Sequence, residues 1–311
     1  MNKLEYKYTV CAVVVTYNRK ELLKRNLDSL LIQTYPLDIL IYDNASTDGT
    51  YQYLLDFGYL NNEHINFVKG DKNLGGAGGF SNGEKIAFQK GYDLLWLMDD
   101  DGYCINERTL EECIKVYNPN QKNIINSYVL CDPKTKELTF DLGPYKTNDE
   151  VENASKDGVV SGYGNPYNGT LVPKKCFEDI GFTDERFFIY GDENDFFLRT
   201  TKSGYVWITS ISSLYYHPIN RKIKEYSFLG VSYNSKEQPI WKFFIEYRNA
   251  IYLRLNYGRH QRFLYIILIR ILMVLSALHS SNKKIKRIKW GWIGINDGIN
   301  GYFDRPIPFK E

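Results

Sequence analysis

The chain has 311 residues, 43% of them hydrophobic, and its 39 lysines and arginines nearly balance 37 aspartates and glutamates, leaving a net charge of +2. That balance excludes binding of nucleic acid by bulk positive charge, so none is expected as a partner, while the length allows one large domain or two. Cys11, Cys104, Cys113, Cys131 and Cys176 are odd in number and form no C-x-x-C pair, which argues against a disulfide scaffold or zinc site, and residues 1–6 lack the apolar core of a secretory signal, so the chain is expected on the cytoplasmic side.

Residues 10–15 read as a buried strand, followed by Thr16, Tyr17, Asn18 and Arg19. Over residues 20–32, Leu22, Leu23, Leu27, Leu30 and Leu31 recur at helical spacing, and Pro36 ends that unit. Residues 38–42 form a second strand. Its end carries Asp43-Asn44-Ala45-Ser46-Thr47-Asp48-Gly49, a turn rich in capping residues, before an amphipathic helix over about residues 50–57. This β-α-β-α alternation predicts a parallel sheet covered on both faces, with right-handed crossovers.

A third strand, residues 65–68, leads into Asn73-Leu74-Gly75-Gly76-Ala77-Gly78-Gly79-Phe80. So many glycines weaken a helix entrance unless the backbone must approach something closely. Two readings stand level: a diphosphate seated on the N–H groups of the helix N-terminus, or close packing of helix on sheet. The G-x-G-x-x-G dinucleotide spacing fails at Ser81, and the turn after the first strand holds no glycine, so neither that fingerprint nor a P-loop is present.

Leu94-Leu95-Trp96-Leu97-Met98 then ends abruptly in Asp99-Asp100-Asp101. An apolar run of this kind suits a central strand, and in open α/β sheets ligands gather beyond the strand ends. Three adjacent carboxylates repel one another, and enclosing them costs free energy unless a cation or strong donors neutralise them. A hard divalent ion, Mn2+ or Mg2+, is the natural neutraliser, since it joins carboxylates to substrate phosphates. In isolation the triplet would read as a solvated acidic turn, and its surroundings shift the reading toward a site.

Residues 107–117 look helical and 123–130 look like a strand, while 132–157 are polar and turn-rich, read as loops or a small hairpin. Residues 167–173 form a strand that leads to a short helix ending near Gly181. A second acidic cluster, Asp192-Glu193-Asn194-Asp195, opens a helix where the dipole favours negative charge, and a plain capping role would also account for Asp192 or Asp195. Gly204 closes that helix, residues 205–209 form a strand, and His217 follows as the one histidine of four in a site-like context.

Taken in order over roughly residues 8–218, six of these parts resemble the inverting family-2 glycosyltransferases. They are Val13-Val14-Val15-Thr16-Tyr17-Asn18-Arg19, the Asp43–Gly49 turn, Asn73-Leu74-Gly75-Gly76, the aspartate triplet, the acidic pair with Asp195 and Arg199 downstream, and His217. The wording from Asn73 to Phe80 and around the triplet is similar to the galactofuranosyltransferase branch, except that Tyr167 and Asn168 stand where that branch carries two acceptor-contacting tryptophans. The resemblance implies an α/β GT-A fold with a Rossmann-like mixed sheet over residues 1–224, followed by a C-terminal helical region over 225–311. It implies that Thr16, Tyr17 and Asn18 flank a nucleotide base, that Asp43 accepts from uracil or thymine, and that Asn73, Gly75 and Gly76 lie along the donor. Asp99 and Asp100 would face ribose or sugar, and Mn2+ or Mg2+ would be held by Asp101 and His217 with Asp99 beside them. Glu193 would be the catalytic base, with Asp192 the fallback because the family more often has Asp there, and Tyr167 and Asn168 would meet the acceptor.

The implied partners are a nucleotide-sugar donor, with UDP-galactofuranose first, and a glycan or polyprenyl-linked acceptor. Donors such as dTDP-rhamnose or a UDP-hexopyranose, or a non-catalytic sugar-nucleotide-binding role, are the alternatives. A nucleotidyltransferase would want a Gly-rich basic loop after the first strand, which is absent. Beyond Pro218 the character changes. Residues 241–257 form an aromatic amphipathic helix bearing Arg248 and Arg254, with Arg259 just beyond its end; 263–279 are apolar except for Arg270; and 283–290 are strongly basic. Seventeen residues with an internal arginine are marginal for a bilayer span. Two readings remain open: an in-plane helix on the inner face of the cell membrane, or a helical subdomain packed on the catalytic domain or on a second subunit of a homo-oligomer.

Overall fold

The structure, a computed structural model, describes residues 7–219, 224–228, 230–235, 238–258, 262–280 and 282–309. Residues 1–6, read as lacking a secretory signal, and Arg259, placed just past an amphipathic helix, lie outside the described residues. The chain divides into two compact units, Met1–Glu185 with Phe196–Ile219, and Arg186–Asp195 with Asn220–Glu311.

The first unit opens with β1 (Val10–Thr16), α1 (Lys20–Leu31), β2 (Asp38–Asp43), α2 (Thr50–Asp56), β3 (Ile65–Lys69), α3 (Gly75–Gln89) and β4 (Leu94–Asp99). These four strands lie parallel in the order β3-β2-β1-β4, as the alternation predicts. Alternate residues of β1 face opposite sides. Val10, Ala12 and Val14 pack with Leu23, Leu27 and Leu30 of α1, whereas Cys11, Val13 and Val15 pack with Phe80 and Ala87 of α3. Both faces are thereby covered, which is why these strands read as continuous apolar runs. The register sets Thr16 beside Asp43 and Val15 beside Asp99, so three motif-bearing strand ends finish level at one edge.

The chain continues through β5 (Tyr103–Cys104), α4 (Thr109–Val116), β6 (Asn123–Asp132), β7 (Glu137–Leu138), α5 (Asn148–Ala154), β8 (Val159–Ser161), β9 (Asn168–Pro173), α6 (Lys174–Ile180), α7 (Asp192–Lys202) and β10 (Val206–Tyr216). Here the sheet becomes mixed. β9 lies antiparallel between β4 and β6, β10 runs parallel to β6, and β5 runs antiparallel to β10. The parallel pairing predicted from the alternation holds for the first four strands, and the rest gives the mixed sheet that the resemblance implies: β9 is entered from strand β8 and a loop, with no crossover helix to impose parallel pairing. Residues 132–157, expected as loops or a hairpin, include α5. It starts at a capping box in which Thr147 Oγ1 accepts from Glu150 N and the Glu150 carboxylate accepts from Thr147 N.

The second unit holds a hairpin, β11 (Lys224–Phe228) with β12 (Val231–Ser235), and the helices α8 (Ile240–Tyr257), α9 (Arg262–His279) and α10 (Lys284–Asn300). Phe243, Ile251, Met273, Ala277 and Ile295 form its core. Glycines on α10 let α8 approach to backbone contact: a Cβ at Gly294 would lie 2.5 Å from the Phe244 carbonyl, and one at Gly298 would collide with the Arg248 carbonyl. Among the described residues, no helix is long and apolar enough to cross a membrane.

Gly298→Val tests this contact. Backbone cannot yield as a flexible side chain would, so overpacking of about 1–3 kcal/mol outweighs the few tenths gained in helix propensity. The thermal unfolding midpoint is expected to fall.

Candidate functional site

The level ends of β1, β2 and β4 meet the start of α3. Asp43 is buried; its Oδ1 accepts from Ser46 N at 2.9 Å, while its Oδ2 takes no hydrogen bond among the described residues. Asn44 ties this strand end to α3, donating to Gly75 O (2.6 Å) and accepting from Leu74 N (2.9 Å), and Asn73 accepts from Gly75 N at 2.8 Å. The glycine run divides between its two readings. A Cβ at Gly79 would collide with Val15, and one at Gly83 would come within 2.6 Å of Val13, so these serve close packing on β1. Gly75 is buried at φ +72°, whereas Gly76 has open space where a Cβ would be, so the helix entrance is open at Gly76.

Asn18, at φ +54°, accepts from Thr47 N (2.7 Å) and Asp48 N (3.2 Å), and its own N–H donates to Ser46 Oγ (2.9 Å). It latches two loops together, while Tyr17 is exposed. Thr16 is buried, and its hydroxyl donates to Asp100 Oδ2 at 2.7 Å.

The triplet is held from several sides. Arg19 Nη1 donates to Asp100 Oδ1 (3.1 Å) and Asp101 Oδ2 (2.9 Å), Arg25 Nη2 donates to the Asp101 carbonyl (2.7 Å), and Asn26 Nδ2 donates to the Gly102 carbonyl (2.9 Å). Burial pushes the Asp100 carboxyl up to about 6, against the pull of Arg19 and Thr16. Burial would raise Asp101 too, yet a protonated His217, through its hydrogen bond and charge, and then the charge of Arg19, hold it below the usual carboxylate range. His217 Nδ1–H donates to the Pro218 carbonyl (2.9 Å), which in the neutral ring leaves the Nε2 lone pair 3.3 Å from Asp101 Oδ1. Two lone pairs facing each other require a proton or a cation between them. Asp99, Asp101 and His217 each offer one ligand atom, all within 4.8 Å of one another, a donor set that suits a divalent cation. Sequence reasoning quoted Arg19 in the opening motif without giving it a role, and missed Arg25 and Asn26; the available signal was a polar Asn26 among the leucines of α1.

The Tyr167 ring is buried, stacked on Phe80 with centroids 4.1 Å apart, and its hydroxyl meets Thr183 Oγ1 at 2.7 Å, so packing encloses this side chain. Thr183 in turn donates from N (2.8 Å) and Oγ1 (2.7 Å) to Glu84 of α3. Asn168 is also buried and donates to the Pro166 carbonyl at 2.9 Å. Burial pushes the Glu84 carboxyl up to about 7.

Asp192 and Glu193 belong to the second unit. Asp192 is buried, Glu193 accepts from Gly191 N at 3.1 Å, and Asp195 accepts from Tyr257 Oη at 2.8 Å. The loop before them places Phe188, Tyr190 and Gly191 at φ +67°, +62° and +90°, costly for the two non-glycines. Asn249 of α8 holds it, donating to the carbonyls of Phe187 (3.0 Å), Ile189 (2.9 Å) and Tyr190 (2.7 Å), and Arg248 adds a bond to Phe187 O (3.1 Å). Neither residue was foreseen, because nothing local in α8 marks this loop as its partner.

A family model described as Glycosyl transferase family 2 matches residues 11–168. The galactofuranosyltransferase GlfT1 of Mycolicibacterium smegmatis is 29% identical over 252 residues, covering 78% of this chain and 82% of that protein. Among solved structures, the mannosyltransferase PcManGT from Pyrobaculum calidifontis, in complex with GDP-Man and Mn2+, aligns with TM-score 0.54 at 13% identity over 98% of this chain and 78% of that one. GalNAc-T7 with UDP, GalNAc and Mn2+ aligns with TM-score 0.59 at 13% identity over 97% and 59%. These likenesses are to the GT-A fold.

The buried Glu84 gives a pH test. Its folded-state value near 7 lies above the ordinary 4.5, so the native state holds the proton more tightly and stability falls as pH rises from about 4.5 to 7. The loss is on the order of 3 kcal/mol. Glu84→Gln keeps an acceptor for Thr183 without the charge, and its unfolding midpoint is expected to depend less on pH than that of the wild type over this range.

Proposed function

The chain belongs to glycosyl transferase family 2, and on that premise we propose that it moves galactofuranose from UDP-galactofuranose to a hydroxyl of a glycan or polyprenyl-linked acceptor, with inversion and with a divalent metal. The observation that carries this reading is the cluster of Asp99, Asp101 and His217 at the strand edge that also bears Asp43. The likeness to galactofuranosyltransferase GlfT1 supports the sugar. The Mn2+ named with PcManGT and GalNAc-T7 supports the choice of Mn2+ over Mg2+.

The residues fit the ion: Asp101 Oδ1 is buried and, with the His217 ring neutral, faces its Nε2 lone pair at 3.3 Å with no proton between them. When bound, the cation would neutralise charge growing on the leaving diphosphate. The protein's own groups do the rest. Asp43 Oδ2 accepts from the N–H of the base, and Asn73, Gly75 and Gly76 lie along the diphosphate at the start of α3, where the Gly75 N–H is already given to Asn73 Oδ1 and Gly76 offers its own. Glu193 takes the acceptor proton as the hydroxyl attacks opposite the leaving group, which inverts the anomeric centre; Asp192 is the fallback base. The enclosed Tyr167, in place of an acceptor-contacting tryptophan, favours as a second reading a different donor such as dTDP-rhamnose or a UDP-hexopyranose.

A panel of nucleotide sugars, assayed with Mn2+ and then with chelator, tests the reading. Metal-dependent turnover of UDP-galactofuranose is the expected result; turnover of another donor alone would discard the sugar, and tight UDP binding without turnover of any donor would indicate a non-catalytic role. Asp101→Asn is expected to weaken Mn2+-dependent UDP binding at least ~10-fold, read by calorimetry. Glu193→Gln is expected to keep UDP binding and lose transfer by at least ~10²-fold. An active Glu193→Gln beside an inactive Asp192→Asn would move the base by one residue.

A further inference from the structure

The charge of this chain is unevenly distributed. Between Glu246 and Asp297 there are ten lysines and arginines and no carboxylate, so the remainder of a chain with net charge +2 carries −8. This stretch includes α9 and most of α10. On α9, Leu264, Ile267, Ile271 and Leu278 are all exposed, and at helical spacing they fall within an arc of about 60°. On α10, Ile285 (84% exposed) and Trp292 share one side with exposed Lys289 between them, while exposed Lys284 and Lys286 flank it. The two faces are neighbours, because the Arg270 guanidinium, beside Ile271 on α9, lies 4.5 Å from the Trp292 ring on α10. Large apolar side chains left in water on adjacent helices mark a binding surface.

We propose that this surface docks in the plane of a lipid bilayer rich in anionic headgroups. α9 has 18 residues, about 27 Å of helix, with Arg270 near its middle, which suits lying in the interface and not crossing it. Leu264, Ile267, Ile271, Leu278 and Ile285 enter the acyl boundary, Trp292 takes the headgroup level, and the lysines extend to anionic phosphates while their stems stay on the apolar side. The absence of any carboxylate across fifty residues is what selects an anionic bilayer over a second copy of this chain, whose matching basic face would repel. The inference does not depend on which sugar is moved.

Flotation of the full chain with vesicles of phosphatidylcholine, alone or mixed with phosphatidylglycerol, tests it. The protein is expected to float with the mixed vesicles, to stay down with the neutral ones, and to release at high salt. Lys284→Glu with Lys289→Glu is expected to weaken partitioning at least about thirtyfold, and Ile267→Glu with Ile271→Glu about tenfold or more. All four positions are exposed, so circular dichroism and the unfolding midpoint should stay at wild-type values. Failure to float with mixed vesicles, or flotation unchanged in both variants, would overturn the proposal. So would a lipid-free dimer, seen by sedimentation, that Ile267→Glu with Ile271→Glu dissociates, since a second copy would then cover the stripe.

Discussion

Three consecutive carboxylates at the end of a buried strand impose the condition that the rest of the first unit meets. Removing such groups from water costs several kcal/mol each unless partners replace the lost solvation. The chain supplies partners for the carboxylates from three places, the end of β1 through Thr16, the following loop through Arg19 and the end of β10 through His217, while Arg25 and Asn26 of α1 hold the backbone carbonyls of Asp101 and Gly102. The two aspartates respond in opposite senses. Asp100, more deeply enclosed, is pushed toward its neutral form, whereas Asp101, beside His217 and Arg19, is held ionised. One strand end thus carries both a carboxyl bonded into the fold and a carboxylate aimed at the His217 imidazole.

Helix α3 meets a related demand from the other face of the sheet. Its middle glycines bring it against β1 closely enough to place its first turn beside Asn44 at the end of β2. The same helix carries Glu84, whose bonds to Thr183 and, through it, to Tyr167 fix the start of β9 against α3. A carboxyl enclosed this fully is costly, and its hydrogen-bonded partners are what make the placement tolerable. In the second unit, Asn249 and Arg248 do comparable work, satisfying the carbonyls of a loop whose left-handed residues would otherwise relax.

The two units also divide the charge. Acidic character gathers in the part that bears the triplet, and the helical part carries a long stretch without any carboxylate. That segregation explains how a nearly neutral chain can present an acid-lined strand edge and a strongly basic helical face, two surfaces suited to different partners.

Much of this was legible from local pattern. Continuous apolar runs located the central strands and helical spacing located α1 and α2, because a strand covered on both faces or a helix buried on one writes that pattern into its own residues. The abrupt change from Met98 to Asp99 marked the strand end, and the ordered motifs pointed to the family. The capping box of α5 was equally local and was passed over in a polar stretch. What sequence could not determine were pairings between distant residues: Thr16 with Asp100 across 84 positions, Glu84 with Thr183 across 99, Asn249 with the loop some 60 positions earlier. The antiparallel entry of β9, the enclosure of Tyr167 under Phe80, and the grouping of Arg186–Asp195 with the C-terminal helices belong to the same class. A side chain's type and period state which face it prefers, but which partner fills that face is set by packing among elements far apart in the chain, and that is decided only when they come together.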